Sequence, residues 1–117
     1  MARVLLVDDD PDQLEIRKLL LGEAGHLVST AASATEATAI FSESDAQLVI
    51  MDLRMPRAEN GLALIRELRA RSSSLRILVL SGWATDLTQR PEAAMVDQVL
   101  SKPVPSRKLL RLISELV

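Results

Sequence analysis

The chain alternates two hydrophobic patterns. Runs of consecutive apolar residues occur at 4–7, 48–51 and 77–80. Such runs read as strands buried on both faces, as in a parallel sheet covered by helices. Between them, apolar residues recur at helical spacing. The pattern predicts a strand over 3–7 and a helix from Pro11 to about Gly22, apolar at Leu14, Leu19, Leu20 and Leu21. A short strand over 26–30 and a helix over 33–41 follow, the latter apolar at Ala37, Ile40 and Phe41. Next come a strand over 48–52, a helix over 61–70, a strand over 77–80, a strand over 96–100 and a final helix over 106–116. The segment 84–95 carries Thr85, Thr88 and Pro91, so any helix there is short or broken.

Five strand–helix units without internal repeats imply an α/β fold, a (βα)5 doubly wound parallel five-stranded sheet. The common order for five units is 2-1-3-4-5, the flavodoxin-like arrangement, in which strands 1 and 3 meet at the topological switch point. Residues 1–117 are expected to form one domain. Ligands of such sheets bind at the carboxyl ends of the strands. Asp8 and Asp9 leave strand 1 there, Asp52 leaves strand 3, and Ser81 and Lys102 follow strands 4 and 5. Asp10, just before Pro11, is placed to cap the first helix.

Composition narrows the function classes. Nearly half of the 117 residues are apolar and a quarter are charged, with a net charge of −2 and no cysteine. Disulfides and thiolate metal sites are thereby excluded. Acids and bases are interspersed, so nucleic-acid binding has no electrostatic footprint. With only Phe41 and Trp83 as aromatics, no stacking platform for bases or flavins is available. No apolar run approaches a membrane span and the short N-terminus is not a signal peptide, so the cytoplasm is the expected compartment.

Taken singly, these polar residues are ordinary. Asp8, Asp9 and Asp10 read as caps and solvated charge, Ser81 as a turn residue, Lys102 as a surface lysine, and Asp52 as a cap, a surface charge or a reacting group. Their convergence on one crevice changes that reading. Two carboxylates about 5 Å apart repel by roughly 3 kcal/mol at an effective dielectric near 20. Three acids need compensation beyond one lysine, and an all-oxygen donor set selects a hard divalent ion such as Mg²⁺. A carboxylate presented beside such an ion is a nucleophile for phosphoryl transfer, with Lys102 and Ser81 steadying the transferred oxygens.

The acidic pair Asp8-Asp9, Asp52 followed by Met55-Pro56, Ser81, and Lys102-Pro103 occur in the order and spacing of a family. Over essentially its whole length the chain resembles the response-regulator receiver domains of two-component signalling, the CheY-like fold. The resemblance implies that Asp52 accepts a phosphoryl group from a phosphohistidine and switches a protein-interaction surface. It implies that Asp9 and Asp52 bind Mg²⁺ with the backbone carbonyl of Arg54, and that Asp8 assists through water. Lys102 and Ser81 would hold phosphoryl oxygens, and the Lys102–Pro103 peptide would be cis. The implied partners are a sensor histidine kinase or histidine phosphotransfer protein and a downstream target or attached output domain. Such a domain is a signalling receiver and catalyses only its own phosphorylation and dephosphorylation. The chain leaves no room for a DNA-binding output domain, so it is expected to be a single-domain regulator or a receiver from a larger protein such as a hybrid kinase.

Several positions depart from the family pattern. The loop from Asp52 to Gly61 is about one residue longer than usual. Met95 stands where a glycine commonly precedes the last strand. Val99 replaces the usual Tyr or Phe, which questions the aromatic switch but not the phosphorylation chemistry. Pro91 predicts an irregular fourth helix and a signalling face unlike the common one. Trp83 and Arg54 occupy positions that in the family line the path of the attacking water. Trp83 is read as a ring covering its loop, a partner anchor, or a wall that slows phosphoryl loss. Arg54 itself is expected to be solvated, and His26 to be an exposed strand-edge residue. The alternative function is a haloacid-dehalogenase-like phosphohydrolase, which needs an acid two residues after its nucleophile, where this chain has Arg54. A flavodoxin-like binding module would meet repulsion from Asp8, Asp9 and Asp10.

Overall fold

The computed structural model describes residues 2–83 and 85–117. Met1, and Ala84 at the head of the expected broken helix, lie outside the described residues. Strands β1 (Arg3–Val7), β2 (Leu27–Ala31), β3 (Leu48–Asp52), β4 (Arg76–Ser81) and β5 (Gln98–Ser101) pair in parallel in the order β2-β1-β3-β4-β5. Helices α1 (Pro11–Glu23), α2 (Ala34–Glu43), α3 (Ala58–Arg71), α4 (Thr85–Thr88) and α5 (Ser106–Leu116) connect or follow them, and a 3-10 turn spans Pro91–Met95. The expected fold class and strand order are borne out.

Consecutive apolar residues in the strands feed two cores. Leu5, Val7, Val49, Met51, Ile77 and Val79 point to one face, under α2 and α3, with Ala37, Leu62, Ile65 and Leu68. Val4, Leu6, Leu48, Ile50, Leu78 and Leu80 point to the other, under Leu21 of α1 and Leu109, Leu112 and Ile113 of α5. Alternation along a strand sends successive side chains to opposite faces, so only continuous apolar runs can serve both. The apolar stripe of α5 is core.

The helix starts follow local chemistry. The Asp10 carboxylate accepts the Asp12 N–H at 3.0 Å, capping α1 ahead of Pro11. The Ser33 hydroxyl accepts the Glu36 N–H at 3.1 Å and caps α2. Gly25 follows α1 with φ of 93°, a conformation that favours glycine. Helix α3 begins three residues before the expected Gly61. The Asn60 side-chain oxygen accepts the Arg57 N–H at 3.2 Å, and the Asn60 N–H reaches the Arg57 carbonyl at 3.1 Å. Asn-Gly therefore lies inside the first helical turns instead of ending the loop.

The fourth helix is broken, as Pro91 predicted. Its remnant is fastened to α3. Buried Glu92 pairs with Arg66, and the Arg69 guanidinium donates to the carbonyls of Met95, Ser72, Ser73 and Leu75. His26 is half-buried just ahead of β2, where its Nδ1 accepts the Ala2 N–H at 3.0 Å. It is thus a tie for the N-terminal segment, where an exposed edge position was expected. No helix among the described residues is long and apolar enough to cross a membrane.

Candidate phosphoacceptor site at the strand tips

The strand ladders continue past the strand ends and fix the tips. The Asp8 N–H donates to the Ala31 carbonyl at 3.1 Å, and the Lys102 N–H to the Ser81 carbonyl at 2.9 Å. In register, Asp52 lies opposite Leu80 and Ser81 opposite Ser101. Lys102 therefore enters from β5, two strands away from Asp52, and its side chain spans the tip of β4.

Asp8, Asp9 and Asp52 each bring a carboxylate oxygen within 4.8 Å of the others. The Lys102 Nζ lies 3.0 Å from Asp52 Oδ2. Burial pushes the Asp52 carboxyl above the ordinary 3.8. The hydrogen bond and charge of Lys102 pull it down, and the charges of Asp8 and Asp9 push it up again. Desolvation and like charge thus outweigh one lysine. Three carboxylate oxygens in a group this compact, with Asp9 exposed to solvent, suit a hard cation and leave open positions for water and phosphoryl oxygens.

The structure joins Asp8, Asp9, Asp52 and Lys102 in one cluster. Ser81 is buried at the neighbouring tip, with its hydroxyl committed to its own loop. It donates to the Trp83 carbonyl at 2.9 Å and accepts the Trp83 N–H at 3.0 Å. The Arg54 side chain is not simply solvated. It forms a two-pronged ion pair with Asp86, at 2.6 and 2.9 Å, and its guanidinium stands 5.1 Å from the Trp83 ring centre. That guanidinium holds the Asp86 carboxyl below its ordinary 3.8. The pair and the ring bridge the loops after β3 and β4, beside the Asp52 tip. Two X–Pro peptides are cis, Lys102–Pro103 as implied and also Met55–Pro56.

Sequence reasoning passed over two participants. Arg17 donates to Asp8 Oδ2 at 2.8 Å from the first helix. Its signal was present: it lies three residues after Leu14 and three before Leu20, on the inward stripe of that helix. Asp86 carried no signal, because its partner Arg54 is 32 positions away.

Comparison with known proteins agrees with this geometry. Residues 4–114 match the family model described as the response regulator receiver domain. The transcriptional regulatory protein AruR of Pseudomonas aeruginosa is 36% identical over 117 aligned residues, covering 94% of this chain and 47% of AruR. The regulatory protein VanRB of Enterococcus faecalis is 34% identical over 116, covering 98% and 52%. The chain thus spans about half the length of these curated relatives. Among solved structures, the response regulator TrrA of Thermotoga maritima in complex with Mg²⁺-BeF superposes with a TM-score of 0.89 at 28% identity, covering all of both chains. TrrA in complex with the histidine kinase ThkA superposes with a TM-score of 0.87 at 28% identity, covering 100% of this chain and 99% of TrrA. The haloacid-dehalogenase alternative gains nothing, since the position two after Asp52 is an arginine engaged with Asp86. By sequence model, curated relatives and fold alike, the chain belongs to the response-regulator receiver-domain family of two-component signalling.

Proposed function

We propose that residues 1–117 form a receiver domain in which Asp52 takes a phosphoryl group from a phosphohistidine. The observation that carries this reading is the Lys102 ammonium 3.0 Å from an Asp52 carboxylate that also belongs to a compact triad of acids. In the transfer, an Asp52 oxygen bonds to phosphorus as the phosphorus–nitrogen bond breaks. The imidazole, protonated on its other nitrogen, leaves as a neutral ring. Hydrolysis is the reverse in kind: water attacks phosphorus, and the carboxylate returns with inorganic phosphate. The domain acts as a signalling receiver that catalyses only these two steps on itself.

Asp9 and Asp52 would hold Mg²⁺ together with the Arg54 backbone carbonyl, and Asp8 would act through water. The ion supplies charge neutralisation for the transferring oxygens. Lys102 pairs with one phosphoryl oxygen, and Ser81 donates to another once its hydroxyl leaves the Trp83 carbonyl. With Val99 39% exposed and carrying no ring, that hydroxyl exchange is the movement most directly tied to the acceptor. It biases two states of the β4–α4 loop and so a protein-binding surface.

The donor is a sensor histidine kinase or a histidine phosphotransfer protein, as the kinase complex of TrrA suggests. A groove beside Lys102, lined by Ile16, Leu20 and Pro103, offers an apolar seat for a helix bearing the histidine. The output is a downstream protein or an attached output domain. The domain itself does not bind DNA, and the cytoplasm is its compartment.

The test uses Trp83 as the lone indole fluorophore. Mg²⁺ followed by beryllofluoride or acetyl phosphate is expected to change its emission, and intact mass to show a labile phosphoryl adduct at Asp52. Asp52→Asn is expected to abolish both. An adduct that persists in Asp52→Asn overturns the assignment.

A further inference from the structure

Helix α1 presents an inversion. Ile16 and Leu19 face solvent, while Arg17, on the inward stripe, is only 14% exposed at its side chain. A charge is costly to bury without a partner. Its partner is Asp8, itself 2% exposed. Each oxygen of the Asp8 carboxylate then has a protein partner, Oδ2 the Arg17 guanidinium at 2.8 Å and Oδ1 the Asp10 N–H at 3.0 Å. Asp52 shares one oxygen with Lys102. Asp9 is the acid of the triad that stands open to solvent.

We propose that Arg17 is a positioning residue of the cation site. It ties Asp8 down as a charge-neutralised member of the cluster, so that Asp9 and Asp52 carry the ion and Asp8 does not ligate it directly. This rests on the Mg²⁺ reading given above. Two cations, Arg17 and Lys102, against three carboxylates leave a single net negative charge for the ion to neutralise. Arg17 therefore sets both the strength and the selectivity of the site. With one carboxylate withdrawn, few direct protein ligands remain, which favours the small ion that keeps its waters over the larger one that seeks more oxygens. Freed from Arg17, Asp8 has an oxygen to offer, and the site becomes richer in ligands and more negative.

The experiment titrates the purified chain with Mg²⁺ and separately with Ca²⁺ by calorimetry, at fixed ionic strength. Arg17→Met is expected to bind Mg²⁺ about ten-fold more tightly, because a like charge close to the ion is removed, and to gain still more for Ca²⁺. Arg17→Lys keeps the charge and is expected to stay near the wild-type affinities and ratio. In an Asp8→Asn background, the effect of Arg17→Met is expected to shrink, since the residue acts through Asp8. Unchanged Mg²⁺ affinity in Arg17→Met overturns the proposal, and so does an equal gain for both ions, which would make Arg17 a remote charge. Should Arg17→Met fail to fold, a ten-fold change of affinity in Arg17→Lys overturns it instead. Absence of Mg²⁺ binding in the wild type together with Arg17→Met overturns the metal reading itself. Wild-type binding without an Arg17 effect overturns only the role of Arg17.

Discussion

Gly61 has no side chain to contribute, yet the tip of β3 depends on it. A Cβ built there would lie 2.0 Å from the Leu53 carbonyl oxygen, one residue past Asp52. That neighbour is backbone and anchored, because the Leu53 N–H extends the ladder to the Leu80 carbonyl. Alanine would gain up to about 1 kcal/mol of helix propensity. Overpacking against fixed atoms costs at the upper end of about 1–3 kcal/mol. Gly61→Ala is therefore expected to lose about 2 kcal/mol of stability net, read as a lower urea midpoint at unchanged m-value. A neutral or stabilised variant would show that the Leu53 backbone yields. The same contrast explains which site residues were legible. Asp8-Asp9 and Asp52 directly follow apolar runs and Lys102 follows the last strand, so their position on the sheet follows from the pattern. Gly61 reads in sequence as a turn residue, because only the fold lays the Leu53 backbone over it, whereas Arg17 stands on the inward stripe of α1 but its position there does not name Asp8 as its partner.

At the scale of elements, the loop after β4 is where sequence and structure diverge most usefully. Pro91 lacks an N–H and cannot sit in a helix interior, so the break after α4 was legible. The bracing of that loop was not. The Arg54–Asp86 pair and the Trp83 ring are joined only through space, and a Trp flanked by Gly82 and Ala84 carries no periodic signal. The ring is 61% exposed, so burial is not what positions it. Its backbone is held by the Ser81 hydroxyl and its face by the Arg54 guanidinium. The bracing ties the loop after β3 to α4 and to the loop after β4, and on the proposed function it would stand where water approaches the Asp52 phosphoryl group. Trp83→Ala removes the ring and leaves the backbone contacts to Ser81. It is expected to speed loss of the Asp52 phosphoryl group by a few-fold, less than the tenfold that about 1.4 kcal/mol of barrier represents. Intact mass followed over time measures it, and an unchanged lifetime would make the ring a partner anchor or a simple cover for its loop.

The whole molecule stores an electrostatic debt at one rim of its sheet. Two cores bury nearly every residue of β1, β3 and β4, and the fold was legible because continuous apolar runs serve both. The cost sits where those runs end. Asp52 has a carboxyl raised above 3.8, chiefly by burial and in spite of Lys102. Its folded state holds the proton more tightly than the unfolded chain does. The contribution of Asp52 to stability is thus most favourable below pH 3.8 and is lost as pH rises through the raised value. Asp52→Asn removes the charge that causes the loss. Without metal, the variant is expected to be more stable than the wild type at pH 7, with the gap closing toward pH 3.8. Urea unfolding in chelator at several pH values measures it. A less stable Asp52→Asn at pH 7 would mean that the attraction of Lys102 exceeds the cost of burying the carboxylate. Mg²⁺ should act in the opposite sense. A ligand that binds only the folded state stabilises it by mass action, and the wild type has the fuller set of carboxylates with which to bind. Saturating Mg²⁺ is therefore expected to narrow or reverse the advantage of the asparagine variant at pH 7. On the proposed function, the same uncompensated charge that weakens the metal-free domain would draw the ion, and with it the phosphoryl group, to the strand tips.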